Sequence, residues 1–332
     1  MSSFLNHHID SCEKKISIHQ LRRMYREGRL VFPSVPSKTK MRMIESTSKT
    51  LETILMGIIL PVVYVSERQD GSLLVLDASD RLLHLMKFLK GNILITELEF
   101  YPELNGCGPA ELERKFPRIA SFIYDYKINF QVIEYTTPKY MHMQVGSYIE
   151  KWDFVREQGI RYKLYGEELR NNLDFLERSM GRYGVFFSRW RLKRQYFILR
   201  ILMYRFVFEN NVQAGYTEDM GLQQLLDQTA GWFMRKDLMI IVNGFVDADQ
   251  KLTKWMNKEY RTLLVQKGEE QRVRTLGYLY NIVWMCGGNE YKIGKGLESI
   301  FFDEQLREKI KKEKVTFANI RKHYKEIEKR LR

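Results

Sequence analysis

A chain of 332 residues with 44% apolar and 13% aromatic side chains has material for two hydrophobic cores, and its 29% charged content with a mean hydropathy of −0.39 excludes wholesale disorder. A net charge of +13 and an isoelectric point near 9.4 make a polyanion, nucleic acid or nucleotide phosphate, the natural partner class. The longest nearly uncharged apolar run, 54–65, contains Pro61 and falls far short of the roughly 20 residues a bilayer crossing needs, so no membrane association is expected.

Residues 1–15 read as an N-terminal arm with neither the basic start nor the apolar stretch of a secretory signal. The apolar positions Ile44, Thr47, Leu51, Ile54, Leu55 and Ile58 recur at helical spacing, Gly57 lies near the end of that run, and Pro61 closes it. A strand over 62–65, the turn signal Asp70-Gly71 and a second strand over 73–76 predict a hairpin, with Asp77 at its end. A helix over 79–90 follows, with Leu82, Leu85, Met86 and Leu89 on its apolar side and Gly91 as its stop. Further strands are predicted at 92–100 and 127–135, around a helix over 110–126 that Pro117 bends.

All seven prolines lie in the first 138 residues, so the rest should form long uninterrupted helices. The spacing predicts them at 138–157, 165–180, 187–210, 221–230, 236–247, 252–267, 271–285 and 302–331. The glycine-rich stretch 287–296 lacks a Ser or Thr after Lys295 and reads as a turn, not a phosphate loop. The glycines at 181–184 mark a domain boundary, giving an α+β domain over 16–180 and a helical domain over 185–332. Cys12, Cys107 and Cys286 are odd in number and far apart, which fits reduced thiols and a cytoplasmic location.

Chemistry-bearing residues cluster after the second hairpin strand. Asp77, Ser79, Asp80 and Arg81 place two carboxylates, a hydroxyl and a guanidinium at a strand-to-helix turn, where backbone N–H groups suit a phosphate and Asp77 with Asp80 could hold Mg²⁺. The competing reading is structural: Asp77 or Ser79 caps the helix and Asp80 complements its dipole. Farther on, Arg189, Lys193 and Arg200 share one edge of a basic helix interleaved with Trp190, Tyr196, Phe197 and Tyr204. They are candidate DNA contacts, or else charges on a core helix. The basic terminal segment 303–332 reads as a solvated helix, with phosphate contact as the lesser alternative.

The run Ile16 to Pro33, the helix ending at Pro61, the strand Val62-Val-Tyr-Val, Asp70-Gly71 and Val75-Leu-Asp-Ala-Ser-Asp-Arg81 resemble the N-terminal domain of GmrSD-type restriction proteins. That family carries an Asp-Gly-Gln-Gln-Arg signature on a ParB/sulfiredoxin-like fold. A second motif of the family, Phe-x-Arg-x-Asn followed by Gly, Leu and Glu-Leu-Arg, is similar to Phe154, Arg156, Gln158, Gly159, Leu164 and Glu168-Leu-Arg170.

The resemblance implies a ParB/sulfiredoxin-like domain followed by an all-α domain, binding of ATP or GTP with Mg²⁺, and a role in defence against foreign DNA. It also implies catalytic positions at Asp77, Asp80 and Arg81, and nucleotide contacts from Ser79, Arg81, Arg156 and Gln158. Ala78, Ser79 and Asp80 replace the family's Gly-Gln-Gln, however, and Gln158 replaces its Asn. An ionised Asp80 accepts hydrogen bonds but cannot donate to phosphate, so hydrolysis is expected to be weakened or lost. The His-Asn-His nuclease that relatives often carry is missing, since a single histidine, His323, follows His142. DNA cleavage by such a site would need a partner nuclease. The alternatives are an active Mg²⁺-dependent NTPase and a protein-interaction adaptor.

Overall fold

Ser17 and Gln20 cap one another's backbone N–H groups, ending strand β1 (Ser11–Ser17) and starting helix α1 (Ile18–Arg26) with a reciprocal capping box. The computed structural model describes residues 9–33, 40–77, 79–149, 154–179, 191–210, 220–256 and 258–331. The chain divides into two compact units, Met1–Leu164 and Tyr165–Arg332.

Unit 1 continues with β2 (Leu30–Val31), α2 (Lys40–Leu55), β3 (Val63–Glu67), β4 (Leu73–Val75), α3 (Ser79–Leu89), α4 (Pro109–Lys115), α5 (Pro117–Asp125), β5 (Lys127–Ile133), α6 (Lys139–Ile149) and α7 (Phe154–Tyr165). Its five strands form one mixed sheet in the order β1-β5-β3-β4-β2, with β3 parallel to β5 and antiparallel to β4. The sheet is apolar on both faces, because successive side chains of a strand point to opposite sides. Leu73, Val75, Val65, Phe130 and Val132 join the core beneath α1, α2 and α3, while Leu74, Leu76 and Ile133 meet Met143 and Ile160 of α6 and α7.

The predicted hairpin forms, with Gly71 at φ +73° in its connecting loop. Three expectations for unit 1 are corrected. The N-terminal arm is a paired edge strand from Ser11 onward, antiparallel to β5. Residues 92–100 do not form a strand: Thr96, Leu98 and Phe100 give their N–H groups to the side chains of Ser48, Asn105 and Glu52, while Ile95 exchanges backbone bonds with Gly106 and Cys107. Pro117 separates two helices instead of bending one, and Phe116 before it sits at ψ 58°.

Unit 2 contains α8 (Glu167–Ser179), α9 (Arg191–Glu209), α10 (Leu222–Arg235), α11 (Leu238–Trp255), α12 (Lys258–Gln266), α13 (Glu269–Met285), α14 (Glu290–Phe302), α15 (Glu304–Lys312) and α16 (Phe317–Leu331). Apart from an isolated bridge between Gly221 and Thr316, its described residues carry no strand. Helices α9 and α13 are buried on nearly every side and pack against each other, as helices without a polar face must. The unit begins ahead of the expected 181–184, which lie outside the described residues; α8 packs on α9, α10 and α11 and so belongs to this core.

Further predictions fail in unit 2: the break expected between helices over 236–247 and 252–267 lies instead after Trp255, because α11 runs unbroken through 248–251. The stretch 287–296 is a turn only to Asn289, whose side chain caps α14; Gly294 and Gly296 lie inside that helix where it closes on Trp255 and Ile282. The expected helix over 302–331 is the end of α14 followed by two helices, α15 begun by the Asp303 cap and α16. No helix among the described residues is long and apolar enough to cross a membrane.

Candidate phosphate-binding turn and groove

The turn from β4 into α3 is held at both of its flanks. Leu76 extends the β3–β4 pairing by donating its N–H to the Tyr64 carbonyl at 2.9 Å. Asp77 is buried, and its Oδ1 accepts the Tyr64 N–H at 2.5 Å. On the other flank Arg156 of α7, also buried, donates from Nη2 to the Leu76 carbonyl at 3.2 Å. The two sequence motifs therefore meet at one peptide, although 80 positions separate their residues.

Arg81 lies in the first turn of α3 and donates from Nη2 to the Pro61 carbonyl at 3.4 Å. It lines a groove of about 660 Å³ formed with the outer face of α2 and residues 58–61. Arg42 and Lys49 add two cations to that groove, and Lys49 pairs with Glu45 at 2.8 Å. The Thr50 and Thr53 hydroxyls spend their protons on the Ser46 and Lys49 carbonyls, so the guanidinium groups are left as the natural donors to an anion. Ile58 and Ile59, 50% and 77% exposed, supply an apolar lip.

The remaining predicted residues divide. Asp80 is half-buried in the first turn of α3, and Ser79 opens the helix, although its side chain is outside the described set. Gln158 does not join Arg156. Positions i and i+2 of a helix do not face alike, and the fully buried Gln158 takes a hydrogen bond from Arg161 at 3.2 Å. Arg161 also binds Glu157 at 3.2 Å. Among the described residues no group of three metal-ligating side chains occurs, so Mg²⁺ would depend on Asp77 or Asp80 together with oxygens of a bound phosphate.

The proposed DNA edge is corrected at Arg200. Arg189 lies outside the described residues. Arg200 is 0% exposed and grips Glu270 of α13 with both terminal nitrogens, Nη2 reaching Oε1 at 2.7 Å. Burial opposes ionisation of Glu270, but the hydrogen bonds and charges of Arg200 and Arg274 outweigh it and bring its pKa down to about 2. Lys193 pairs with Glu269 at 2.6 Å, Arg194 with Glu177 at 2.6 Å and Arg205 with Glu209 at 2.8 Å. Helix α9 is thus a core element in which Lys193, Arg194, Arg200 and Arg205 are matched by acids of its own unit.

Sequence reasoning missed Arg42 and Lys49. The signal was present: positions 42, 45, 46, 49 and 53 form a polar stripe opposite the apolar stripe 44, 47, 51 and 54. Compared with protein-family models, with curated proteins and with solved structures, the chain finds no match.

Proposed function

We propose that unit 1 binds the phosphates of a nucleoside triphosphate in the groove beside Arg81, serves a restriction-type defence against foreign DNA, and hydrolyses its nucleotide weakly or not at all. The observation that supports this reading is the bond from Arg156 to the Leu76 carbonyl, which joins the two motifs carrying the GmrSD resemblance at a single turn. Arg156 positions the turn, and the turn presents Arg81 to the groove, where Arg42 and Lys49 add positive charge. Guanidinium groups suit phosphate because they donate two parallel hydrogen bonds without losing their charge.

The weak hydrolysis follows from what the other groups are doing. Asp77 spends Oδ1 on a backbone amide, and Gln158 spends its carbonyl oxygen on Arg161, so neither is placed to orient an attacking water. Mg²⁺, when bound with the triphosphate, would neutralise phosphate charge that Asp80 otherwise repels.

Titration of the full chain with fluorescent ATP and GTP analogues in Mg²⁺, with phosphate release followed in parallel, tests the proposal. Saturable binding with release at background is expected. Arg81→Ala should weaken binding about tenfold, the cost of one charge-assisted hydrogen bond, while Arg235→Ala in unit 2 should leave it unchanged. Binding indifferent to Arg81→Ala would refute the assignment, and turnover abolished by that substitution would select the active NTPase.

A further inference from the structure

In unit 2, the end of α12 and helices α13, α14 and α15 enclose a pocket of about 240 Å³. Its apolar side includes Ile300 and Phe301, and Lys267, Arg307 and Lys311 are set around it. Arg307 and Lys311 are four positions apart on α15, a spacing that brings side chains together and at which like charges repel. Glu308, the one acid lining the pocket, leans away: it meets Lys312 at 2.7 Å and Lys311 only at 3.8 Å. Among the described residues neither Lys267 nor Arg307 has an ion-pair partner.

Three cations converging on a concavity raise one another's energy unless an anion enters. The strain registers at Lys267, whose pKa is held below its usual value first by burial and then by the charges of Arg307 and Lys311. With Glu308 counted, the four charged groups sum to +2, the match for a phosphoryl dianion. The volume lies under the roughly 300–1,000 Å³ that hold drug-sized ligands, so the occupant is small.

We infer that this pocket is an anion-binding site for a small phosphomonoester, with the phosphoryl group held by Lys267, Arg307 and Lys311 and the organic part laid against Ile300 and Phe301. The site lies wholly within unit 2 and does not depend on the groove beside Arg81.

Calorimetric titration of the full chain with phenyl phosphate, inorganic phosphate and dimethyl phosphate tests it. One site per chain is expected, with phenyl phosphate tightest because it also covers apolar surface, and dimethyl phosphate, a monoanion, weakest. Arg307→Gln and Lys267→Gln should each weaken phenyl phosphate about tenfold or more, the loss of one charge-assisted contact. Arg81→Ala should leave that affinity untouched. The site is refuted by the lack of saturable binding of phenyl phosphate, by affinity unchanged in Arg307→Gln or Lys267→Gln, or by equal affinity for the diester. Loss of binding in Arg81→Ala would move the ligand to unit 1 and overturn the inference as well. Failure at Lys267 or Arg307 leaves the nucleotide proposal standing, because the fluorescent titration reads that site separately.

Discussion

Asp249 lies 7% exposed on α11, where Tyr280 of α13 donates its hydroxyl to Oδ1 at 2.6 Å. Burial raises its pKa to about 6 even though the hydrogen bond from Tyr280 pulls the other way. A carboxyl group whose folded pKa stands above its unfolded value of 3.8 favours folding while protonated. Its contribution is complete below pH 3.8 and is lost as pH rises through about 6. Asn cannot ionise and still accepts from Tyr280, so Asp249→Asn should gain about 2 kcal/mol over the parent at neutral pH and little in acid. Urea unfolding of both proteins at about pH 4 and about pH 7.5 measures this, and a difference independent of pH would mean that Asp249 does not titrate in the folded chain. Glu270 has the opposite sign, its lowered pKa making it a stabilising charge that is lost only as acid carries the pH from 4.5 toward 2. Which cations exist was legible in the sequence, but their partners were not. The edge of Lys193 and Arg200 follows from helix geometry alone, whereas Glu269 and Glu270 arrive from α13, some 70 positions later, and turn that edge inward.

At the scale of elements, the apolar pattern located α2, the β3–β4 hairpin, α3 and β5 close to where they lie, because the helices bury one stripe each and the strands are short apolar runs buried on both faces. The failures share a cause. Ile93 and Ile95 alternate with more exposed neighbours as in a strand, yet Leu98 breaks the alternation after Glu97 at φ 56°, and side chains from α2 and from Asn105 take backbone donors of that segment, a competition invisible to periodicity. Glycines misled in the same way: Gly296 marks a place where α14 presses on Ile282 of α13, not a turn. Gly277 is the sharpest case, since a Cβ there would fall inside van der Waals contact with three ring carbons of Tyr204. That ring has no room to yield, being packed edge-on against Tyr278 at 4.8 Å, and the Tyr204 carbonyl accepts from Tyr324 at 2.9 Å. Gly277→Ala should therefore destabilise by about 1–3 kcal/mol despite the better helix propensity of alanine. Gly231→Ala in α10 meets only the Arg235 side chain at 3.6 Å and should stabilise by up to about 1 kcal/mol. Thermal melts of the two variants should move in opposite directions; a Gly277→Ala melt at or above the parent would show that the α9–α13 contact can open without loss.

Across the whole chain the +13 charge is not one surface. Arg161 and Arg200 are fully buried and bound to acids, while other cations line the Arg81 groove in one unit and the Lys267 pocket in the other. Net charge suggested an anionic partner class and could not locate where it would act. The loss of proline after Pro138 likewise foretold a helical second half, but glycines placed its start too late, because only packing reveals that α8 belongs with α9, α10 and α11. Units of 164 and 168 residues are each large enough to bury roughly two-thirds of the surface of their unfolded chains, and each has its own apolar interior. Separation between Leu164 and Tyr165 keeps the bond from the Tyr165 hydroxyl to the Asp227 carbonyl, 3.0 Å long, within the second fragment. Expressed apart, both fragments should give near-ultraviolet circular dichroism from fixed aromatic rings and a single sigmoidal urea transition. The aromatic signal of the second should be the stronger, since Tyr204, Tyr278, Tyr280, Phe245 and Trp284 stack within it. A fragment that unfolds without cooperativity would mean that its core depends on the other unit, and the sites in the Arg81 groove and the Lys267 pocket would then have to be coupled through folding.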